Sequence, residues 1–137
     1  MIIPPAVKET CLDVSDLARA SQFYQNLFGF DVVDSDGRFC VLGVPGHQFL
    51  ILFERRASTE PISTPDGKIP THGTTGTSHV GFAITQHEIP QWEEKLRRHG
   101  IAIESKVKWP LGGQSIYFRD PDGHLLELLT PGVWPGR

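Results

Sequence analysis

Hydrophobic and polar residues alternate along two short stretches of the chain, at positions 9–14 and 79–84. In the earlier stretch, Leu12 and Val14 alternate with polar residues and a cysteine. The later stretch alternates as well, and its large apolar side chains share one parity: Val80, Phe82 and Ile84. A period of two residues predicts a strand with one buried face, so both stretches are predicted strands.

Each predicted strand is followed by apolar residues at the three-to-four spacing of an amphipathic helix. The first helical stripe consists of Leu17, Ala20, Phe23 and Leu27. The second stripe consists of Ile89, Trp92 and Leu96. Gly29 and Gly100 follow the two stripes, and glycine readily adopts the left-handed conformation that ends a helix. Ser15 or Asp16 is positioned to cap the N-terminus of the first helix.

Further strands are predicted after each helix. In the first half they are residues 30–34, 38–44 and 48–53, and in the second half they are residues 101–108, 114–119 and 124–129. Both halves therefore have the order βαβββ, and this internal repeat predicts an α+β fold built from two tandem modules.

The predicted modules span residues 7–56 and 78–131 of one 137-residue domain. Residues 57–77 between them are rich in Pro, Gly, Ser and Thr, a composition that predicts a loop. Residues 132–137 form a predicted irregular C-terminal tail.

Composition narrows the class of protein. The formal net charge is -3 and the charges are mixed in sign, which argues against nucleic acid as a partner. No apolar run approaches membrane-spanning length, and no secretory signal precedes the first strand. Cys11 and Cys40 each lie singly among apolar residues, which favours two thiols in a reducing cytoplasm, with a disulfide as the alternative. A cytoplasmic protein with no membrane partner is expected.

The two halves differ at two pairs of aligned positions that carry potential metal ligands. When the halves are aligned, Glu9 falls on His79 and Leu50 falls on Glu127. Glu127 is flanked by leucines, and burying a carboxylate without a partner is costly. Alternatively, Glu9 pairs with a lysine or arginine, and His79 is an ordinary polar residue at a strand end.

These features together resemble the vicinal oxygen chelate superfamily, which includes glyoxalase I, bleomycin-resistance proteins, fosfomycin-resistance enzymes and extradiol dioxygenases. The resemblance rests on the two βαβββ units, on the residues that open their first strands, and on Asp-Pro-Asp-Gly-His-x-x-Glu at positions 120–127. It implies open, barrel-like mixed sheets, the glyoxalase/bleomycin resistance/dioxygenase fold, and a homodimer. By position, it implies metal ligands at Glu9, His79 and Glu127, with Leu50 in a fourth place.

Two carboxylates and one imidazole suit a divalent ion such as Mn²⁺, Fe²⁺, Zn²⁺ or Ni²⁺. Three protein ligands leave coordination positions for water or a bidentate substrate, as in a catalytic site. The expected function is a metal-dependent enzyme that chelates a small oxygen-rich substrate and stabilises negative charge on oxygen. The alternative is a bleomycin-resistance-like protein that sequesters an aromatic or drug-like ligand without catalysis.

Several further side chains are candidates for substrate contacts. Ser115, Tyr117 and Arg119 share one face of a predicted strand, and residues matching Ser115 and Tyr117 line the substrate site in fosfomycin-resistance enzymes. Tyr117 is a candidate catalytic residue, as is His72 in the loop, where it could act as a general acid or base. The remaining candidates for substrate binding are Trp109 and Phe53. For Tyr117 and Arg119 the alternatives are a core aromatic and a surface charge, and for His72 a solvated loop histidine.

Overall fold

The computed structural model describes residues 2–57 and 59–136. The chain divides into two compact units, Met1–Gly76 and Thr77–Arg137. Each unit contains one βαβββ module with a four-stranded mixed sheet, so the predicted α+β fold is confirmed.

The first unit begins with β1 (Glu9–Val14), α1 (Leu17–Phe28), β2 (Asp31–Ser35), β3 (Phe39–Val44) and β4 (Gln48–Glu54). Its sheet has the strand order β1-β4-β3-β2. β1 is parallel to β4, whereas the other neighbours are antiparallel. The segment predicted as a loop holds a short antiparallel hairpin, β5 (Ile62–Thr64) and β6 (Gly67–Ile69).

The second unit repeats this topology. It contains β7 (His79–Ala83), a 3-10 helix (Gln86–Glu88), α2 (Ile89–Arg98), β8 (Ser105–Lys108), β9 (Gln114–Arg119) and β10 (Leu125–Leu129). Its sheet has the order β7-β10-β9-β8, again with the first strand parallel to the last. No helix in the described parts of the chain is long and apolar enough to cross a membrane.

Local signals explain the first helix. The Asp16 side chain accepts a hydrogen bond from the backbone N–H of Arg19 at 3.0 Å, which satisfies a first-turn donor. At the other end, Gly29 has φ 73° and its N–H donates to the carbonyl of Gln25. The buried face of α1 carries Ala20, Tyr24 and Leu27.

Each sheet has a core face and an opposite face, which we call the open face. In the first unit, Leu12, Leu42, Leu50 and Leu52 lie on the core face and are at most 1% exposed. In the second unit, the core face carries Ile116, Phe118, Leu126 and Leu128, which are equally buried. Glu9 begins the open face of one sheet, and His79 begins that of the other.

The strand registers correct one expectation. Glu9 lies opposite Phe49, and His79 lies opposite Leu125, so the first-unit equivalent of Glu127 is Ile51. Leu50, which the sequence alignment matched with Glu127, belongs to the core face. The predicted fourth position near a metal is therefore wrong by one residue, although the residue at that place is still apolar.

Candidate metal and substrate site

The polar centre of the second unit is the pair formed by His79 and Glu127. β7 lies parallel to β10 with Gly81 opposite Glu127, so His79, two residues earlier, projects from the same face. The Nε2 atom of His79 lies 3.0 Å from Oε1 of Glu127. The Glu127 side chain is almost wholly buried, whereas that of His79 is 50% exposed. The pair thus joins a buried carboxylate to an imidazole that reaches solvent.

The second oxygen of Glu127 is held by two side chains in series. The hydroxyl of Ser115 donates to Oε2 of Glu127 at 2.5 Å, and the indole N–H of Trp109 donates to Oγ of Ser115 at 2.9 Å. Ser115 is 1% exposed. Oε1 of Glu127 therefore faces His79, and Oε2 faces Ser115.

Tyr117 lies beside this pair. It is directly opposite Glu127 in the antiparallel register of β9 and β10, and its ring centroid is 6.1 Å from that of His79. Burial raises the pKa of the Tyr117 phenol, and the negative charge of Glu127 raises it further. The phenol therefore keeps its proton at neutral pH and interacts with the side chains of Ser115 and Glu127.

A buried histidine supports the strand that carries His79. The backbone N–H of Ser78 donates to Nδ1 of His124 at 2.9 Å, and the backbone N–H of His124 donates to Oδ1 of Asp120. His124 is 1% exposed. His124 therefore has a structural role, since its side chain holds the residue before His79.

Arg119 is engaged elsewhere on the protein surface. Its guanidinium forms two hydrogen bonds to the carboxylate of Glu104, at 3.1 and 3.0 Å, and a third to the carbonyl of Gly123. These contacts favour the alternative interpretation of Arg119 as a surface charge beside a turn.

The first unit holds the other candidate residues. Glu9 is exposed at the start of β1. His72 is exposed and packs edge-on against Phe53, with ring centroids 4.4 Å apart. Nearby, the backbone N–H of Thr74 donates to Oδ2 of Asp13 at 2.8 Å. The sequence predicted no contact between His72 and Phe53, because 18 intervening residues separate them along the chain.

The open face of the first unit also carries Cys11, between Glu9 and Asp13 on β1. Burial raises the pKa of the Cys11 thiol, and the two neighbouring carboxylates raise it further. Such a thiol is a weak nucleophile near neutral pH.

The second-unit pair offers two ligand types that suit a divalent ion, an imidazole nitrogen and a carboxylate oxygen. Nε2 of His79 and Oε1 of Glu127 lie 3.0 Å apart, at hydrogen-bonding distance from each other. Among the described residues, no cluster of three or more His, Cys, Asp and Glu side chains able to hold an ion is present. Of the three predicted ligands, the second unit brings His79 and Glu127 together.

A protein-family model described as the Glyoxalase/Bleomycin resistance protein/Dioxygenase superfamily matches residues 6–128. The chain belongs to this superfamily, in agreement with its two βαβββ modules.

Its relatives have different activities. The chain is 31% identical over 126 residues to the metallothiol transferase FosB of Staphylococcus epidermidis, covering 91% of this chain and 81% of that protein. It is 28% identical to a catechol-2,3-dioxygenase of Bacillus subtilis, over 87% of this chain but 39% of that protein. The crystal structure of a lactoylglutathione lyase from Agrobacterium tumefaciens superposes with a TM-score of 0.86 and 31% identity, covering 96% of this chain and 98% of that one. These names span three reactions, so the family alone does not specify the chemistry.

Proposed function

We propose that the protein is a divalent-metal-dependent enzyme acting on a small oxygen-rich substrate that binds through two oxygen atoms. The observation that carries this proposal is the 3.0 Å separation of Nε2 of His79 and Oε1 of Glu127, on a face where Glu127 is buried. A metallothiol transferase among the relatives supports it as well.

Glu9 is the proposed third ligand. Glu9 begins β1 just as His79 begins β7, and these two strands occupy equivalent places in their sheets. We propose that Glu9 of this chain, or of a second copy in a homodimer, completes the site. The set of two carboxylates and one imidazole is suited to Mn²⁺, Fe²⁺, Zn²⁺ or Ni²⁺.

When bound, such an ion supplies Lewis-acid stabilisation to charge developing on a substrate oxygen. The protein side chains supply hydrogen bonding to the substrate and acid–base chemistry. Tyr117 keeps its phenolic proton and can donate it in a hydrogen bond to a substrate oxygen beside Glu127. His72, exposed and packed edge-on against Phe53, is the proposed general acid or base. The Ser115 hydroxyl is already committed to Glu127, so its contribution to substrate binding is indirect.

Metal binding tests the proposal directly. Purified protein stripped with chelator and titrated with Mn²⁺ should bind the ion stoichiometrically, and Glu127→Gln should abolish binding because a carbonyl oxygen replaces a charged ligand. Glu60→Gln is a matched control, since Glu60 is an exposed carboxylate outside the predicted site. Equal affinities in the wild type and Glu127→Gln would contradict the proposed site.

The reaction itself can be narrowed with a substrate panel. Metal-loaded protein should be assayed with methylglyoxal hemithioacetal, with fosfomycin plus thiols, and with catechols. Turnover of one class that is lost in both Glu127→Gln and Tyr117→Phe would identify the chemistry.

A second candidate function is ligand sequestration without catalysis. It is favoured by the aromatic cluster on the open face of the first unit, where the Phe39 and Phe53 rings lie 6.1 Å apart and His72 packs on Phe53. Aromatic faces of this kind bind planar apolar ligands by stacking. Tight binding of an aromatic ligand by a protein that takes up no metal would favour this function over the enzyme.

A further inference from the structure

We infer that Trp109 is a positioning residue for Glu127: acting through Ser115, it holds Oε2 of the carboxylate and so orients Oε1 toward His79 for binding an ion. This inference rests on the proposed function, because it concerns the geometry of one proposed ligand.

The direction of the two hydrogen bonds is determined by chemistry. An indole N–H is only a donor, so the 2.9 Å contact between Nε1 of Trp109 and Oγ of Ser115 makes the hydroxyl oxygen an acceptor. A serine hydroxyl has a single hydrogen. In the 2.5 Å contact, that hydrogen points to Oε2 of Glu127. Accepting a hydrogen bond also polarises the hydroxyl and strengthens its donation to the carboxylate.

The hydrogen bonds assign different roles to the two Glu127 oxygens. Ser115 occupies Oε2, whereas Oε1 faces Nε2 of His79 at 3.0 Å. Ser115 is 1% exposed and Glu127 is 7% exposed, so water competes little for either group. Binding an ion through both oxygens would require Oε2 to be shared between the ion and the Ser115 hydroxyl.

The turn that carries Trp109 is itself tightly constrained. The N–H of Trp109 donates to the carbonyl of Gly113, and the N–H of Gly112 donates to the carbonyl of Trp109, both at 2.9 Å. Gly112 has φ 94°, which a residue with a side chain rarely adopts. A Cβ on Gly113 would lie 2.4 Å from backbone atoms of Gly132 and Val133. The indole is therefore anchored to a rigid turn before it reaches Ser115.

Side chains that orient metal ligands through hydrogen bonds typically change metal affinity by about 10- to 100-fold when removed. We expect that loss in both Trp109→Phe, which keeps the aromatic ring but removes the N–H, and Ser115→Ala. The double variant should lose little more than Ser115→Ala, because both residues act along one hydrogen-bonded series.

Calorimetric titration with Mn²⁺ tests the inference in six proteins: the wild type, Trp109→Phe, Ser115→Ala, their double variant, Glu127→Gln, and Trp92→Phe as the matched tryptophan control. Trp92 lies on α2, where the Lys95 ammonium is 5.0 Å from its ring centroid, and its substitution should leave affinity unchanged. If Trp109→Phe and Ser115→Ala bind like the wild type while Glu127→Gln does not, the inference is wrong and the proposed function stands.

A measurement without metal distinguishes failure of this inference from failure of the proposed function. In ¹⁵N-labelled protein treated with chelator, the indole N–H resonance of Trp109 should shift in both Ser115→Ala and Glu127→Gln, while the Trp92 resonance stays in place. If the wild type binds no Mn²⁺, the proposed function fails. An unshifted Trp109 resonance in both variants overturns the inference, whatever the metal result.

Discussion

The open faces of the two sheets share a strand order and differ in chemistry. In the second unit, the positions around Glu127 carry hydrogen-bonding side chains: Ser115, Tyr117 and His79. The equivalent places in the first unit are mostly apolar, with Ile51 for Glu127, Val41 for Tyr117 and Phe39 for Ser115. On that face, the β1 residues Glu9, Cys11 and Asp13 add polar groups.

The core faces, by contrast, are alike. Both carry leucines and other large apolar residues that are at most 1% exposed. Burial of apolar surface restricts these positions in the same way in both units, because the interiors are close-packed. The open faces are free of that restriction, so one unit carries a polar network and the other an aromatic surface.

The largest expected effect tests whether Leu50 or Ile51 lies on the core face of the first sheet. Leu50→Ala should lower the free energy of unfolding by about 2–5 kcal/mol, because Leu50 is a fully buried core residue. Ile51→Ala should cost clearly less, since Ile51 is only half-buried on the open face. Denaturant unfolding of both variants measures the difference. Equal losses would contradict the assignment of Ile51 as the equivalent of Glu127.

The sequence could not distinguish Leu50 from Ile51. Residues 49–53 form an uninterrupted apolar run, so the two-residue period that revealed β1 and β7 is invisible in β4. Both candidates are apolar and of similar size. Only the pairing of β1 with β4 in the folded sheet separates the core face from the open face.

Other features were predictable because their signals are local. The Asp16 cap and the left-handed Gly29 lie at the two ends of α1, and each is indicated by residues close to it in the sequence. The contact of Trp109 with Ser115 spans a turn whose path depends on Gly112 and Gly113, so sequence spacing gave no sign of it. From the sequence, Trp109 is a candidate for substrate binding, a role that stays a prediction.

Metal addition should stabilise the protein through the open face of the second unit. At a Mn²⁺ concentration 100 times the dissociation constant, binding to the native state adds about 2.7 kcal/mol to the free energy of unfolding. Glu127→Gln should lose this gain, since the variant lacks the proposed carboxylate ligand. Thermal unfolding with and without chelator measures it. A gain of the same size in Glu127→Gln would indicate that the ion binds elsewhere.

The equivalent hairpin turns of the two units provide the next comparison. The turn before β3 is held by Asp36, whose Oδ1 accepts from the backbone N–H groups of Arg38 and Phe39. The turn before β9 is held by close backbone contact between Gly113 and Gly132. Gly113→Ala should therefore cost about 1–3 kcal/mol through overpacking.

Gly37→Ala is the matched control for that substitution. Its Cβ would meet nothing within 4 Å, so we expect little change in the free energy of unfolding. Because the Gly113 turn carries Trp109, Gly113→Ala should also shift the Trp109 indole resonance. A Gly113→Ala protein as stable as the Gly37→Ala control would show that the tail can move away at no cost.

The smallest expected effect concerns the helix starts. Oδ1 of Asp16 accepts from the Arg19 N–H at the start of α1, whereas Glu88, the residue that precedes α2, makes no such side-chain bond. Asp16→Ala should cost about 1 kcal/mol, and Asp16→Asn should retain most of the stability because asparagine caps comparably well. Hydrogen exchange should show the loss first in the opening turn of α1. If Asp16→Asn is as destabilised as Asp16→Ala, the charge of Asp16 matters more than its hydrogen bond. That result would separate the cap from the interaction of a carboxylate with the helix dipole.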